Sequence, residues 1–278
     1  MPTITIAGPH PVNLHFEDTG GSGRPLVLVH GWPLSGESFS GNVPAFTAAG
    51  LRVITYDRRG FGRSDKPSDG YDYDTLSSDL HHVLTELDVV DAVLLGFSMG
   101  GGEVARYVGK HGTPRLAGIV LSSSICPALA VTDDNPEGAM PVSAFKDMAQ
   151  QCSDDHEGFL DRFTTAYFSN DDGLAVHEDT RQQALSIARQ SDPRAASLTI
   201  EAWATDLRED CARIDVPLLV LHGDEDQNVP AAASSIRMPA LVEHAELHVI
   251  KGGPHGLNVS HQEVWEAAVL RFVAALEG

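Results

Sequence analysis

Gly96-Phe97-Ser98-Met99-Gly100 lies between an apolar run ending at Leu95 and a helical pattern that extends through Val108. A GxSxG string carries little information by itself, but a strand before it and a helix after it is the setting of a nucleophile elbow. A tight turn that lifts a serine hydroxyl above a sheet needs small neighbours, because a Cβ there would meet the strand or the helix. Without that setting the same string is only a glycine-rich helix start with an exposed serine. The setting makes Ser98 the candidate nucleophile.

Short apolar runs rich in β-branched residues recur on both sides of it, at Val12 to Phe16, Leu26 to Val29, Arg52 to Tyr56, Ala92 to Gly96, Leu116 to Ser122, Leu218 to Gly223 and Ala245 to Ile250. Leu26 to Val29, Val93 to Leu95 and Leu218 to Leu221 do not alternate, as expected of strands covered on both faces of a parallel sheet. Tyr73 to Leu87 shows a helical stripe through Leu76, Leu80, Val83, Leu84 and Leu87. The alternation predicts an α/β fold, a mostly parallel sheet with helices on both faces. Gly20-Gly21-Ser22-Gly23 suggests a tight turn in an antiparallel hairpin at the sheet edge. From Cys126 to about Arg213 the strand signal disappears and the chain becomes polar and helical, with aromatics at Phe145, Phe159, Phe163, Tyr167, Phe168 and Trp203. This predicts a catalytic body of residues 1–125 and 214–278, interrupted by a helical cap insertion of residues 126–213.

In a fold of this kind the partners of the serine follow as acid, then histidine, each after a late strand. Leu218 to Leu221 runs into His222-Gly223-Asp224-Glu225-Asp226-Gln227, and Ala245 to Ile250 into Gly252-Gly253-Pro254-His255-Gly256. Of the 13 histidines, His255 sits in a Gly/Pro turn directly after the final strand. His30 precedes the Gly31-Trp32-Pro33 loop, while His81, His82, His111, His156 and His177 fall on helices or in the insertion, where a solvated or structural role is the default; for His222 the default is a packing role beside the acid. Spacing does not separate Asp224 from Asp226.

The chain of 278 residues is 42% hydrophobic, enough for one large core with an insertion. A formal net charge of −20 repels nucleic-acid phosphates and anionic lipid. No stretch reaches the roughly 18 apolar residues of a membrane span, and no basic region followed by an apolar run opens the chain, which predicts a cytoplasmic protein. Cys126, Cys152 and Cys211 are widely spaced and lack CxxC pairing, so no disulfide framework, metal site or cofactor is expected.

Together, His30-Gly31-Trp32-Pro33-Leu34, Tyr56 to Ser64, Gly96 to Glu103, His222 to Gln227 and Pro254-His255-Gly256 resemble the cofactor-free haloperoxidase (perhydrolase) and aryl esterase family of the α/β-hydrolase fold. The likeness includes Asp192 to Asp210 at the end of the insertion. It implies that the acid is the residue before the glutamine, Asp226, with Asp224 a turn cap, and that the backbone N–H groups of Trp32 and Met99 form the oxyanion hole. Candidate substrate contacts are Pro33, Ile125, Asn228 and Leu257. Asn228 and Ala231 depart from the family pattern, which has an aliphatic and a larger residue there, and predict a roomier, more polar pocket. The implied function is cleavage of small carboxylic esters through an acyl-enzyme, with perhydrolase side activity when hydrogen peroxide replaces water. The implied partners are a small acyl substrate and, as family members commonly associate, further copies of the chain. Pro33 restricts the backbone of Trp32, whose carbonyl is expected to accept a hydrogen bond from the distal OH of hydrogen peroxide.

A lactamase or amidase on the same triad, and a slow-turnover small-molecule receptor, are the alternatives. Epoxide hydrolases and dehalogenases need a carboxylate nucleophile where Ser98 stands. Gly60 to Asp65 lacks the third glycine of a dinucleotide fingerprint, so Asp57-Arg58-Arg59 reads as a structural ion-pair corner, and Asp154 to Glu157 as a solvated acidic face.

Overall fold

The computed structural model describes residues 2–8 and 10–276. Its main sheet has eight strands: β1 (Thr3–Ile6), β2 (Val12–Asp18), β3 (Pro25–Val29), β4 (Arg52–Tyr56), β5 (Ala92–Phe97), β6 (Leu116–Ser122), β7 (Leu218–Gly223) and β8 (Ala245–Ile250), in the order β1-β2-β4-β3-β5-β6-β7-β8. From β4 to β8 every pairing is parallel, while β1–β2 and β2–β4 are antiparallel. Strands β5 and β7 are buried along their whole length, which requires cover on both faces and accounts for their non-alternating apolar sequences. The mostly parallel α/β sheet is as expected.

The hairpin expected at Gly20 to Gly23 does not form. β2 pairs with β1 and β4, and β4 separates it from β3. The glycines serve a close approach instead: a Cβ on Gly23 would lie 1.7 Å from the Gly50 carbonyl oxygen, and Gly20 and Gly21 have positive φ. The edge strand β1 was not anticipated. Only Ile4 of its residues is buried, so it carries little apolar signal.

Helix α1 (Tyr73–Glu86) buries Leu76, Leu80, Val83 and Leu84, the stripe seen in the sequence, and is capped by the Asp72 side chain. Helix α2 (Met99–His111) starts immediately after Ser98. After β6 the chain leaves the sheet and returns at β7. The segment between carries α3 (Val142–Asp154), α4 (His156–Phe168), α5 (Glu178–Ala188) and α6 (Pro193–Ala202). It is not wholly without extended structure, since Ala130–Val131 pairs with Met140–Pro141 and Ser169–Asn170 with Gly173–Leu174. Asn170-Asp171-Asp172-Gly173 is the turn of the second pair, with Gly173 at φ 111°. The corner at Asp57-Arg58-Arg59 is built of ion pairs: Arg63 to Asp57, Arg58 to Glu103 and Arg59 to Asp79. No helix among the described residues is long and apolar enough to cross a membrane.

Candidate active site

Ser98 links β5 to α2 with φ 53° and ψ −120°, a conformation that non-glycine residues rarely adopt. Its N–H donates to the Ser122 carbonyl on the neighbouring strand at 2.8 Å, which ties the turn to the sheet. The flanking glycines permit it. A Cβ on Gly96 would come within 2.6 Å of the Gly100 carbonyl oxygen, and one on Gly100 within 2.3 Å of the Val29 carbonyl oxygen. The serine therefore stands at the N-terminal end of a 13-residue helix, where unpaired N–H groups and the helix dipole favour negative charge.

The loops after β7 and β8 meet beside it. A Cβ on Gly223 would lie 1.9 Å from the Gly253 carbonyl oxygen, so glycine is required for the loops to approach this closely. The structure brings Ser98, Asp226 and His255 into one hydrogen-bonded line. His255 Nε2 is 2.9 Å from Ser98 Oγ, and His255 Nδ1 is 2.6 Å from Asp226 Oδ2. The other carboxylate oxygen, Asp226 Oδ1, accepts the backbone N–H groups of Asn228 at 2.9 Å and Val229 at 2.8 Å. His222 Nε2 is 3.1 Å from Asp226 Oδ2 and 2.8 Å from the Val229 carbonyl oxygen, so this histidine is a buried neighbour of Asp226. Burial alone would raise the Asp226 carboxyl; the charge of His255 and the hydrogen bonds of His222 and His255 outweigh it and hold the group well below the ordinary carboxylate range. Asp224, by contrast, is exposed and accepts the Gly252 N–H at 2.7 Å, capping the loop that carries the histidine. Tyr167 and Phe97 pack edge-on against the His255 ring, with centroids 5.0 and 5.6 Å away.

A cavity of about 190 Å³ opens at Ser98 and His255. Its walls include Ile125, Asn228, Val229 and, from the segment between β6 and β7, Phe145, Phe159, Phe163 and Trp203. The aromatics between β6 and β7 were visible in the sequence; that four of them line the cavity at Ser98 was not. Of the four candidate substrate contacts, Ile125 and Asn228 line the cavity, whereas Pro33 and Leu257 are buried outside its lining. Leu257 packs under the histidine loop, where its Cδ2 closes on Gly253.

Trp32 is fully buried and its indole N–H donates to the Ala196 carbonyl on α6 at 3.0 Å. Its ring meets Phe159, Phe163 and Trp203 edge-on, and the Trp32–Pro33 peptide is cis. Among the described residues no group accepts the Trp32 backbone N–H, and Met99, as the first residue of α2, has an N–H with no intrahelical acceptor. A residue passed over in the sequence stands behind this loop. His30 is fully buried, and burial followed by the nearby Arg58 charge pushes its imidazole well below its ordinary range.

The family model for the alpha/beta hydrolase fold matches residues 24–262. The chain is 37% identical to a non-heme chloroperoxidase of Burkholderia pyrrocinia over 99% of this chain and 100% of that one. It is 33% identical to a bifunctional esterase/perhydrolase of Acinetobacter calcoaceticus over 94% of this chain and 96% of that one. Among solved structures it is similar to a bromoperoxidase from Bacillus anthracis, with a TM-score of 0.92 and 40% identity over 98% of this chain and 100% of that one.

Proposed function

The chain belongs to the α/β-hydrolase fold family, and from that premise we propose that it hydrolyses small carboxylic esters through an acyl-enzyme on Ser98 and, with hydrogen peroxide in place of water, releases a peracid. The observation that carries the reading is the unbroken line from Ser98 Oγ through His255 to Asp226, with spacings of 2.9 and 2.6 Å. The perhydrolase half rests on the similarity to proteins named chloroperoxidase, bromoperoxidase and esterase/perhydrolase.

In the proposed mechanism His255 Nε2 takes the Ser98 proton as Oγ bonds to the acyl carbon, and Asp226 holds the imidazole and stabilises the imidazolium. The carbonyl π electrons move onto oxygen, which the N–H groups of Trp32 and Met99 stabilise; removing one such donor elsewhere costs about 3 to 4 kcal/mol. The leaving alkoxide departs with the proton from His255. Water, deprotonated by His255, then attacks the acyl carbon, the bond to Ser98 Oγ breaks, and Oγ takes the proton back from His255 as the acid leaves. With hydrogen peroxide as the attacking group the product is a peracid, which oxidises halide in solution to hypohalous acid while reverting to the carboxylic acid. Ile125 and Asn228 would contact the acyl group, residues 126–213 would act as a cap over it, and neither a metal nor a cofactor enters any step. The cavity exceeds the roughly 150 Å³ that accommodates a benzene molecule, so acyl groups about the size of one ring fit.

The test is covalent. A fluorophosphonate should label Ser98 in the wild-type protein, and Ser98→Ala should lose both labelling and aryl-ester turnover. Retained turnover in the alanine variant would remove the reading.

A further inference from the structure

We propose that His30 is a positioning residue for the oxyanion hole: as the Nδ1–H tautomer it holds the Gly31 carbonyl and so aims the N–H at the other end of that peptide unit, the Trp32 N–H, at the site. The inference rests on the hydrolase reading for its catalytic consequence but not for its geometry.

The tautomer follows from counting donors. Arg58 donates its backbone N–H to His30 Nε2 at 3.0 Å, so Nε2 must offer a lone pair. His30 is fully buried beside the Arg58 guanidinium, which opposes a second proton on the ring. A neutral imidazole with an accepting Nε2 carries its proton on Nδ1. Nδ1 lies 2.9 Å from the Gly31 carbonyl oxygen and 3.4 Å from Arg58 Nη1, and only the carbonyl can receive a proton. The Gly31 oxygen also accepts the Leu34 N–H at 3.1 Å. In a trans peptide the N–H points opposite to the C=O. Two donors on the Gly31 oxygen therefore fix the direction of the Trp32 N–H, which no described residue accepts.

The same arginine joins this peptide to the nucleophile helix. Arg58 Nη2 donates to the His30 carbonyl at 2.8 Å, and Arg58 Nε donates to Glu103 Oε2 at 2.6 Å, one turn into α2 from Met99. Tyr56 closes the cluster with a hydrogen bond to the other Glu103 oxygen. Thus the strand end that offers one N–H and the helix that offers the other share one buried ion pair. A histidine kept only for packing would not need this donor order.

Two amide variants separate the nitrogens of His30. In His30→Asn the carboxamide reaches the place of Nδ1 and can still donate to Gly31, while the Arg58 N–H loses its acceptor. In His30→Gln it reaches the place of Nε2, so Arg58 is satisfied and Gly31 loses its donor. We expect His30→Gln to lower kcat 10- to 100-fold with KM little changed. Its affinity for an aryl trifluoromethyl ketone, which forms a hemiketal oxyanion with a serine, should fall by a similar factor. His30→Asn should stay within about threefold in both, although it should be the less thermostable of the two. A merely structural role predicts that activity follows stability; that ranking, or equal losses in the two variants, overturns the proposal. Nitrogen-15 spectra of the wild-type protein, labelled in histidine, read the tautomer directly: a protonated Nδ1 on His30 is expected, and an Nε2–H tautomer overturns the proposal even if neither variant folds. If instead the wild-type protein shows neither fluorophosphonate labelling nor ketone binding, the hydrolase reading fails while the spectra still decide the geometry.

Discussion

Replacing Asp226 with asparagine changes one atom of the line that runs to Ser98, and the structure fixes which way the new side chain faces. Asp226 Oδ1 accepts two backbone N–H groups, from Asn228 and Val229, at 2.9 and 2.8 Å. Only the oxygen of an asparagine can take that place, because its NH2 would set donors against donors. The NH2 is then left opposite His255 Nδ1, where the carboxylate oxygen had stood at 2.6 Å. To accept from it, Nδ1 must give up its proton, and the ring moves its hydrogen to Nε2, the atom that must receive the proton of Ser98. A wrong tautomer of this kind costs about 10⁴ in kcat in other triads, or about 5.4 kcal/mol at 1.36 kcal/mol per tenfold. Asp224→Asn is the control. Its oxygen can still accept the Gly252 N–H now held at 2.7 Å, so the loss should stay within about tenfold. The assay is steady-state hydrolysis of p-nitrophenyl acetate by both variants and the wild type, with circular dichroism to verify folding. If Asp224→Asn loses as much as Asp226→Asn, or if Asp226→Asn keeps more than a tenth of the activity, the acid is misassigned.

Other outcomes follow from the same geometry. Pro33→Leu tests the hydrogen bond expected from peroxide to the Trp32 carbonyl: the ratio of peracid formation to ester hydrolysis should fall by about two- to tenfold, the value of one ordinary hydrogen bond, with bromide oxidation as the readout; an unchanged ratio would leave Pro33 as scaffolding. Because the Asp226 carboxyl is held below its unfolded value, its share of stability is complete above about pH 4, where an unfolded aspartate titrates, and is lost as the pH falls further. The wild type should therefore lose Tm faster than Asp226→Asn between about pH 4 and 2, and parallel curves would contradict the assignment. Ile125→Trp places an indole in the 190 Å³ cavity and should depress kcat/KM for phenylacetate esters at least tenfold while acetate esters suffer less; equal losses on both would place the acyl group elsewhere.

What could be read from the sequence was what local chemistry fixes. The elbow at Ser98 was legible because glycine on both sides of a serine, between a strand and a helix, leaves few alternatives. His255 was legible because its Gly/Pro turn follows the last strand directly. The pairing of β2 was not, because a glycine run reads the same whether it turns a hairpin or lets Gly23 touch Gly50, and only the position of β4 in space distinguishes them. The aromatics between β6 and β7 were visible as aromatics, but helix periodicity does not say which face of α4 meets a cavity in a different part of the fold.

The two carboxylates after β7 show the same limit at closer range. Asp224 and Asp226 lie two residues apart, and both reach the loop after β8, yet one meets a backbone N–H and the other an imidazole. The sequence offers no signal for this difference, because it arises where the two loops cross at Gly223 and Gly253, and the crossing is set by parallel pairing of β7 with β8. His30 was overlooked for the converse reason. A buried histidine with every nitrogen engaged has the outward marks of a packing residue, and its bearing on the site lies in the order of donors around its ring rather than in any contact with the cavity. Roles carried by a peptide plane leave no motif of their own; they become visible only when the hydrogen bonds at both ends of the plane are followed to their partners.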